Sequence, residues 1–200
     1  QGSIFNISGD RAVPHIEPRM MKREQRQALD LIKSLDLGFA ERVAAKDAIA
    51  SSVENAETAY LMQEAVPELT DISGESEKTL EMYGVNNPIT QMDEYARQCL
   101  MARRLVERGV RFIQLFSGTG SGWDAHSGIE SNHTKYCGSV DKPIAGLIKD
   151  LKVRGLLDDT LVVLTTEFGR TPFTDNKESK GREHHRDAFT TLLAGGGVKG

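Results

Sequence analysis

Apolar residues recur at helical spacing in several stretches of the chain. Ala28, Leu31, Ile32 and Leu35 fall at i, i+3, i+4 and i+7 and predict a helix from Met20 with one apolar stripe, with Gly38 as a break point. Residues 39–65 read as a second long helix, ended before Pro67. Met92, Tyr95, Cys99, Ala102 and Val106 share one face of a helix over 91–108, with Gly109 at its stop position. Tyr136, Val140, Ile144, Leu147, Ile148 and Leu151 keep the same period over 133–154, and Gly155 caps them.

Three other runs carry a strand pattern. Residues 110–116 (VRFIQLF) predict a buried strand, 160–165 (TLVVLT) a β-branched one, and 189–193 a short one before Gly195, Gly196 and Gly197. Residues 1–19, with Pro14 and Pro18, read as an extended leading segment, and 66–88 as a linker carrying Leu80 and Met82. Strand, loop, helix, strand, loop, strand is the order of an α/β fold with a mostly parallel, doubly wound sheet. Fifteen of the 19 glycines lie at or after Gly84, and the first 83 residues are rich in Ala, Glu, Lys, Arg and Leu. The expected division is therefore 1–88, an extended segment and helical flank, and 89–200, an α/β core.

Composition narrows the class. In 200 residues, 38% are hydrophobic and 27% charged, which supports a folded core. The apolar runs are far shorter than the roughly 20 residues of a membrane helix. A net charge of −4 argues against a nucleic-acid binder. Cys99 and Cys137 make neither a disulfide scaffold nor a four-cysteine zinc site and read as buried thiols. The chain begins at Gln1 without a signal peptide and stops at Gly200 after a Gly-rich turn, so both ends read as cut.

In a doubly wound sheet, functional groups gather beyond the C-terminal ends of strands. Three segments fall there: Gly122-Trp123-Asp124-Ala125-His126, Glu167-Phe168-Gly169-Arg170-Thr171 and Gly181-Arg182-Glu183-His184-His185. Carboxylate and imidazole ligands suit zinc, manganese or iron. Neighbours in an extended chain point to opposite faces, so only one of His184 and His185 binds the ion while the other orients a group or packs. Arg170 and Arg182 suit an anionic substrate, because a guanidinium meets phosphate or sulfate through two parallel hydrogen bonds. The plainer readings stand beside these. Asp124 also suits a turn or a helix cap, and Glu167 also suits a structural ion pair with Arg170 or Arg182. His126 and His133, taken singly, also suit loop or surface positions, and Trp123 suits a packing anchor. Residues 118–122 lack the phosphate-loop lysine and 195–197 lack dinucleotide spacing, so both read as tight loops. No G-x-S-x-G elbow marks a nucleophile.

RGLLDDTLVVLTTEFGRTP, with GWDAH before it and GREHH and LAGGGVKG after it, resembles a bacterial family known as domain of unknown function 1501. The match extends back through YARQCLMARRLVERGVRFIQLF to QGSIFN. The resemblance implies kinship with sulfatases and alkaline phosphatases, and an alkaline-phosphatase-like sheet with a two-metal site at its edge. Asp124, His126 and His184 or His185 match the ligands of one metal. The second site usually includes an Asp-His-Gly run, which here reads Glu167-Phe168-Gly169. Glu167 can still bind metal but Phe168 cannot. The implied ion is zinc, manganese or calcium, and the implied nucleophile lies upstream. The implied parent is exported to the periplasm or beyond, often by a twin-arginine signal.

The leading expectation is part of an exported metal-dependent hydrolase of sulfate or phosphate esters, small or polysaccharide. In it Asp124, His126, Glu167 and His184 or His185 hold metal, Glu167 doubles as a base, and Arg170 or Arg182 faces the anion. One alternative is a non-catalytic exported binding or scaffold protein with at most one metal site, in which Glu167 and Arg170 pair with each other or with Arg182. Another is a helical interaction module over 20–65, a region that otherwise caps the α/β core.

Overall fold

The computed structural model describes residues 20–40, 46–118, 122–174 and 178–199. Residues 1–19, read above as an extended segment, lie outside them. The chain divides into two compact units, Gln1–Ser73 and Gly74–Gly200.

The first unit is a helical pair, α1 (Lys22–Ala40) and α2 (Lys46–Thr70). Polar side chains fix their antiparallel register. Gln25 Nε2 donates to Gln63 Oε1 at 2.8 Å, and the Arg26 guanidinium grips both oxygens of Glu57 at 2.7 Å. Two points differ from the sequence reading. α1 runs through Gly38, and α2 runs through Pro67 to Thr70. Proline removes one amide donor only, and Asp71 N still reaches Pro67 O at 3.0 Å. Leu31, Ile32 and Leu35 are each more than half exposed. A single partner helix cannot cover the whole stripe.

The second unit is built on three helices: α3 (Glu77–Tyr83), α4 (Thr90–Glu107) and α5 (Ile129–Val153). α3 lies where the sequence suggested only a linker. Ser76 caps it by accepting the Thr79 amide, and Gly84 closes it in a left-handed conformation. The periodic face of α4 holds, with Tyr95, Cys99 and Ala102 buried. α5 starts earlier than its apolar pattern, at Ile129. The core joins Tyr83, Ala96, Leu100, Leu147 and Leu151 from all three helices. α3 crosses α5 at Gly146, where a Cβ would meet Met82 O at 2.8 Å. Burial of Leu100 and Leu151 contributes roughly 1.5–3 kcal/mol each.

A charged cluster sits inside this core. Arg103, 3% exposed, reaches Glu75 and Glu107 at 2.7 Å and Asp150 at 3.1 Å. Tyr83 donates its hydroxyl to Asp150 Oδ2 at 2.9 Å. The carboxylates compensate the buried guanidinium.

The expected mostly parallel, doubly wound, alkaline-phosphatase-like sheet is not formed. Instead the described residues form two small antiparallel pairs, β1 (Leu161–Leu164) with β4 (Leu192–Gly195) and β2 (Gly169–Arg170) with β3 (His184–His185). Parallel neighbours need a crossover of a dozen or more residues, usually a helix. The chain between β1 and β4 instead doubles back on itself as the β2–β3 hairpin, so β4 returns in the opposite direction. Residues 110–116 form no strand, and Phe112 is 82% exposed. A strand needs a partner for its backbone groups, and none pairs with this run among the described residues. Nor is any helix among the described residues long and apolar enough to cross a membrane.

Candidate metal centre

The site lies within the second unit, where the loop beginning at Gly122 meets the β2–β3 hairpin. The loop is pinned from below. Trp123 donates its indole N–H to Ser117 O at 2.8 Å, and its ring leans on Tyr136 and His133 of α5. Asn132 Nδ2 holds Gly122 O at 2.9 Å. Trp123 is thus the packing anchor that the sequence suggested.

Backbone bonds then lace the loop to the chain leading into β3. Arg182 N donates to Ala125 O at 3.0 Å, Gly128 N to Ser179 O at 2.8 Å and Ile129 N to Lys180 O at 3.0 Å. This close pass requires Gly181, since any Cβ there would collide with His126 O and Ser127 N.

Hairpin register decides which histidine enters the site. Arg170 stands opposite His184, and Gly169 opposite His185. Directly opposed residues of an antiparallel pair share a face. Arg170 and His184 therefore face one side together, and His185 faces the other.

Three donor atoms converge there. His184 Nε2 lies 2.9 Å from Asp124 Oδ1, His126 Nε2 lies 3.0 Å from the same oxygen, and the two Nε2 atoms are 3.2 Å apart. In a tetrahedral site with bonds of about 2.0–2.1 Å, ligand atoms stand about 3.3 Å apart. Outward movement of a few tenths of an ångström would suit the three to one ion. Asp124, His126 and His184 thus form a possible metal-binding triad. All three side chains are partly open to water, at 33%, 46% and 43% exposure.

Charge at the centre is arranged around Asp124. The hydrogen bond from His184, then the Arg170 guanidinium, pulls its carboxyl down to about 2. Arg170 Nη2 sits 2.5 Å from Oδ1.

A family model described as "Protein of unknown function (DUF1501)" matches residues 5–200. The chain belongs to this family. No curated protein and no solved structure matches it. The family description carries no activity, so the chemistry of this DUF1501 chain has to be read from the site itself.

The remaining expected site residues separate. Glu167 is exposed and makes no ion pair among the described residues, neither with Arg170 nor with Arg182. Arg182 folds back to donate to Gly181 O at 2.7 Å. The Phe168 ring lies 4.2 Å from the His184 ring and walls one flank of the triad.

One residue at the site was missed by the sequence reading. Glu183 Oε2 lies 3.0 Å from His126 Nδ1, and Thr174 donates to Glu183 Oε1 at 3.2 Å. With its proton on Nδ1, facing Glu183, His126 would turn the Nε2 lone pair to the triad. Carboxylate, imidazole and ion in series is the usual support of a metal-binding histidine. The available signal was a glutamate directly beside the histidine pair in Arg182-Glu183-His184-His185. Thr171 steadies Glu183, its amide donating to Glu183 O at 2.9 Å and its hydroxyl accepting Glu183 N at 3.0 Å.

Proposed function

We propose that the chain carries a divalent-metal site on Asp124, His126 and His184, and that this site serves hydrolysis of sulfate or phosphate esters. The observation that carries the reading is the meeting of Asp124 Oδ1, His126 Nε2 and His184 Nε2 within 3.2 Å of one another at an open surface. Three protein ligands with one side left open is the pattern of a catalytic site rather than a closed structural one. A divalent ion held there supplies positive charge that polarises an ester oxygen. Arg170 adds a guanidinium beside the open side, suited to a tetrahedral oxyanion. Glu183, 3.0 Å from His126 Nδ1, favours the tautomer that leaves Nε2 free for an ion. The triad makes no hydrogen bond to a serine, threonine or cysteine among the described residues. The attacking group is therefore water or a residue outside them. Kinship with sulfatases and alkaline phosphatases, and an exported parent, belong to the same proposal.

Elemental analysis after loading with zinc or manganese tests the metal. We expect about one ion per chain, lost in Asp124→Ala and in His126→Ala. Turnover of nitrophenyl sulfate and nitrophenyl phosphate by the loaded chain tests the chemistry.

A second reading, a non-catalytic protein with a single ion, draws support from Phe168 and Glu167. One closes a flank with an apolar ring, and the other stands outside the ligand set. Bound ion without turnover of either ester favours this second reading.

A further inference from the structure

Arg170 is held in an unusual way for a buttressing arginine. Among the described residues its only short contact is Nη2 to Asp124 Oδ1, at 2.5 Å. Its other two bonds, to Arg182 O and Trp123 O, are long at 3.4 Å. The guanidinium is also one-sided. It meets one carboxylate oxygen instead of the two that a paired fork would take. That oxygen is the one closest to both histidines. Arg170 and a metal ion would therefore claim the same atom with charge of the same sign.

We propose that Arg170 couples metal binding to oxyanion binding at this site, opposing the ion when alone and favouring it when a tetrahedral oxyanion is present. The inference rests on the metal-site reading above. Without an ion, Arg170 neutralises Asp124 and occupies Oδ1. With an ion on that oxygen, the carboxylate charge is already offset, and the guanidinium is left beside a cation with its donors undersatisfied. An oxyanion at the open side supplies the missing acceptors to Arg170 and lowers the repulsion between the two cations. The ligand class is sulfate, phosphate or the anionic group of an ester. Coupling of this kind is reciprocal, so each ligand strengthens the other by the same factor.

Calorimetric titration of the full chain with zinc, with and without millimolar inorganic sulfate, reads the coupling. In the unaltered chain, sulfate should tighten zinc binding about fivefold or more, and zinc should tighten sulfate binding by the same factor. Arg170→Gln should bind zinc about tenfold more tightly in the absence of sulfate, because a like charge is gone from a half-exposed site. Its response to sulfate should shrink to about twofold. Arg170→Lys keeps the charge but not the fork, so its zinc affinity should stay near that of the unaltered chain while the sulfate effect falls. A structural role for Arg170 predicts weaker zinc binding in both variants, and that result overturns the proposal. Zinc binding that sulfate leaves unchanged in the unaltered chain overturns it without any variant. An unaltered chain that takes up neither zinc nor manganese overturns the metal reading itself, and this inference with it.

Discussion

Glu183 gives the sharpest test of how the centre is built. Its carboxylate lies 3.0 Å from His126 Nδ1 and accepts a hydrogen bond from Thr174, while Thr171 holds its backbone. Glu183→Gln removes the charge but keeps an oxygen able to accept. Glu183→Ala removes the acceptor altogether. Such supporting carboxylates typically change metal affinity 10–100-fold. Here the Glu183 side chain is about one-third exposed, at 32%, and His126 is 46% exposed. Water can replace the lost acceptor at Nδ1, so the effect belongs at the lower end. We expect zinc affinity to fall about threefold in Glu183→Gln and about tenfold in Glu183→Ala, the latter worth about 1.4 kcal/mol. Competition titration against a chelating dye measures both, and nitrogen chemical shifts of His126 report the tautomer. Glu183→Ala binding zinc as tightly as the unaltered chain, with its helices intact, would refute the assignment. A proton found on Nε2 of His126 in the zinc-loaded chain would refute it equally.

Four further outcomes follow from the geometry. Gly181→Ala should abolish metal binding while leaving the helical circular dichroism in place, because the new Cβ meets backbone of His126 and Ser127; retained binding would show that the lacing is softer than drawn. Arg103→Met should destabilise the second unit by about 1.5–3 kcal/mol in urea, since Glu75 and Asp150 lose the buried guanidinium and keep only Arg104 and Arg154 respectively. The same cluster sets an acid limit. Burial pushes Glu75 up, but Arg103 and Arg104 outweigh it and hold it below the usual carboxylate value. Its stabilising share is therefore complete above about pH 4.3 and is lost as pH falls through its lower folded value, so urea midpoints should drop in that range and drop less in Arg103→Met. Finally, a thiol reagent at neutral pH should label exposed Cys137 quickly and Cys99 only on unfolding, because burial pushes the Cys99 thiol up to about 12; rapid double labelling would place Cys99 outside the core.

The helices were legible wherever one apolar face had one partner. The Tyr95, Cys99 and Ala102 face of α4 was read correctly because its spacing alone identifies it. α3 escaped notice because seven residues carry barely two turns of period. Its signal was the Ser76 cap and the Gly84 stop, not hydrophobicity. Pro67 misled because its missing amide disturbs only its own turn, and Thr70 and Asp71 still bond back to Val66 and Pro67. The strands failed for a different reason. Composition can say that 110–116 would suit a sheet, but only a partner can make it one. The direction of pairing was equally hidden, since it depends on whether 165–191 crosses over or folds back.

Asp124, His126 and His184 converge without the sheet that was expected to carry them, and the reason is local. Asp124 and His126 are two apart in one loop, pinned by Trp123 and Asn132. His184 is aimed by its pairing with Arg170 and brought near by the close pass at Gly181. None of these requires a parallel strand. What the sequence could not supply was the choice between His184 and His185. A shift of one residue in the β2–β3 pairing would exchange them, because it turns every side chain to the other face. The centre is thus specified by three short-range devices, namely an anchored loop, a glycine crossing and a hairpin register. Loss of any one should undo the convergence while leaving α3, α4 and α5 folded.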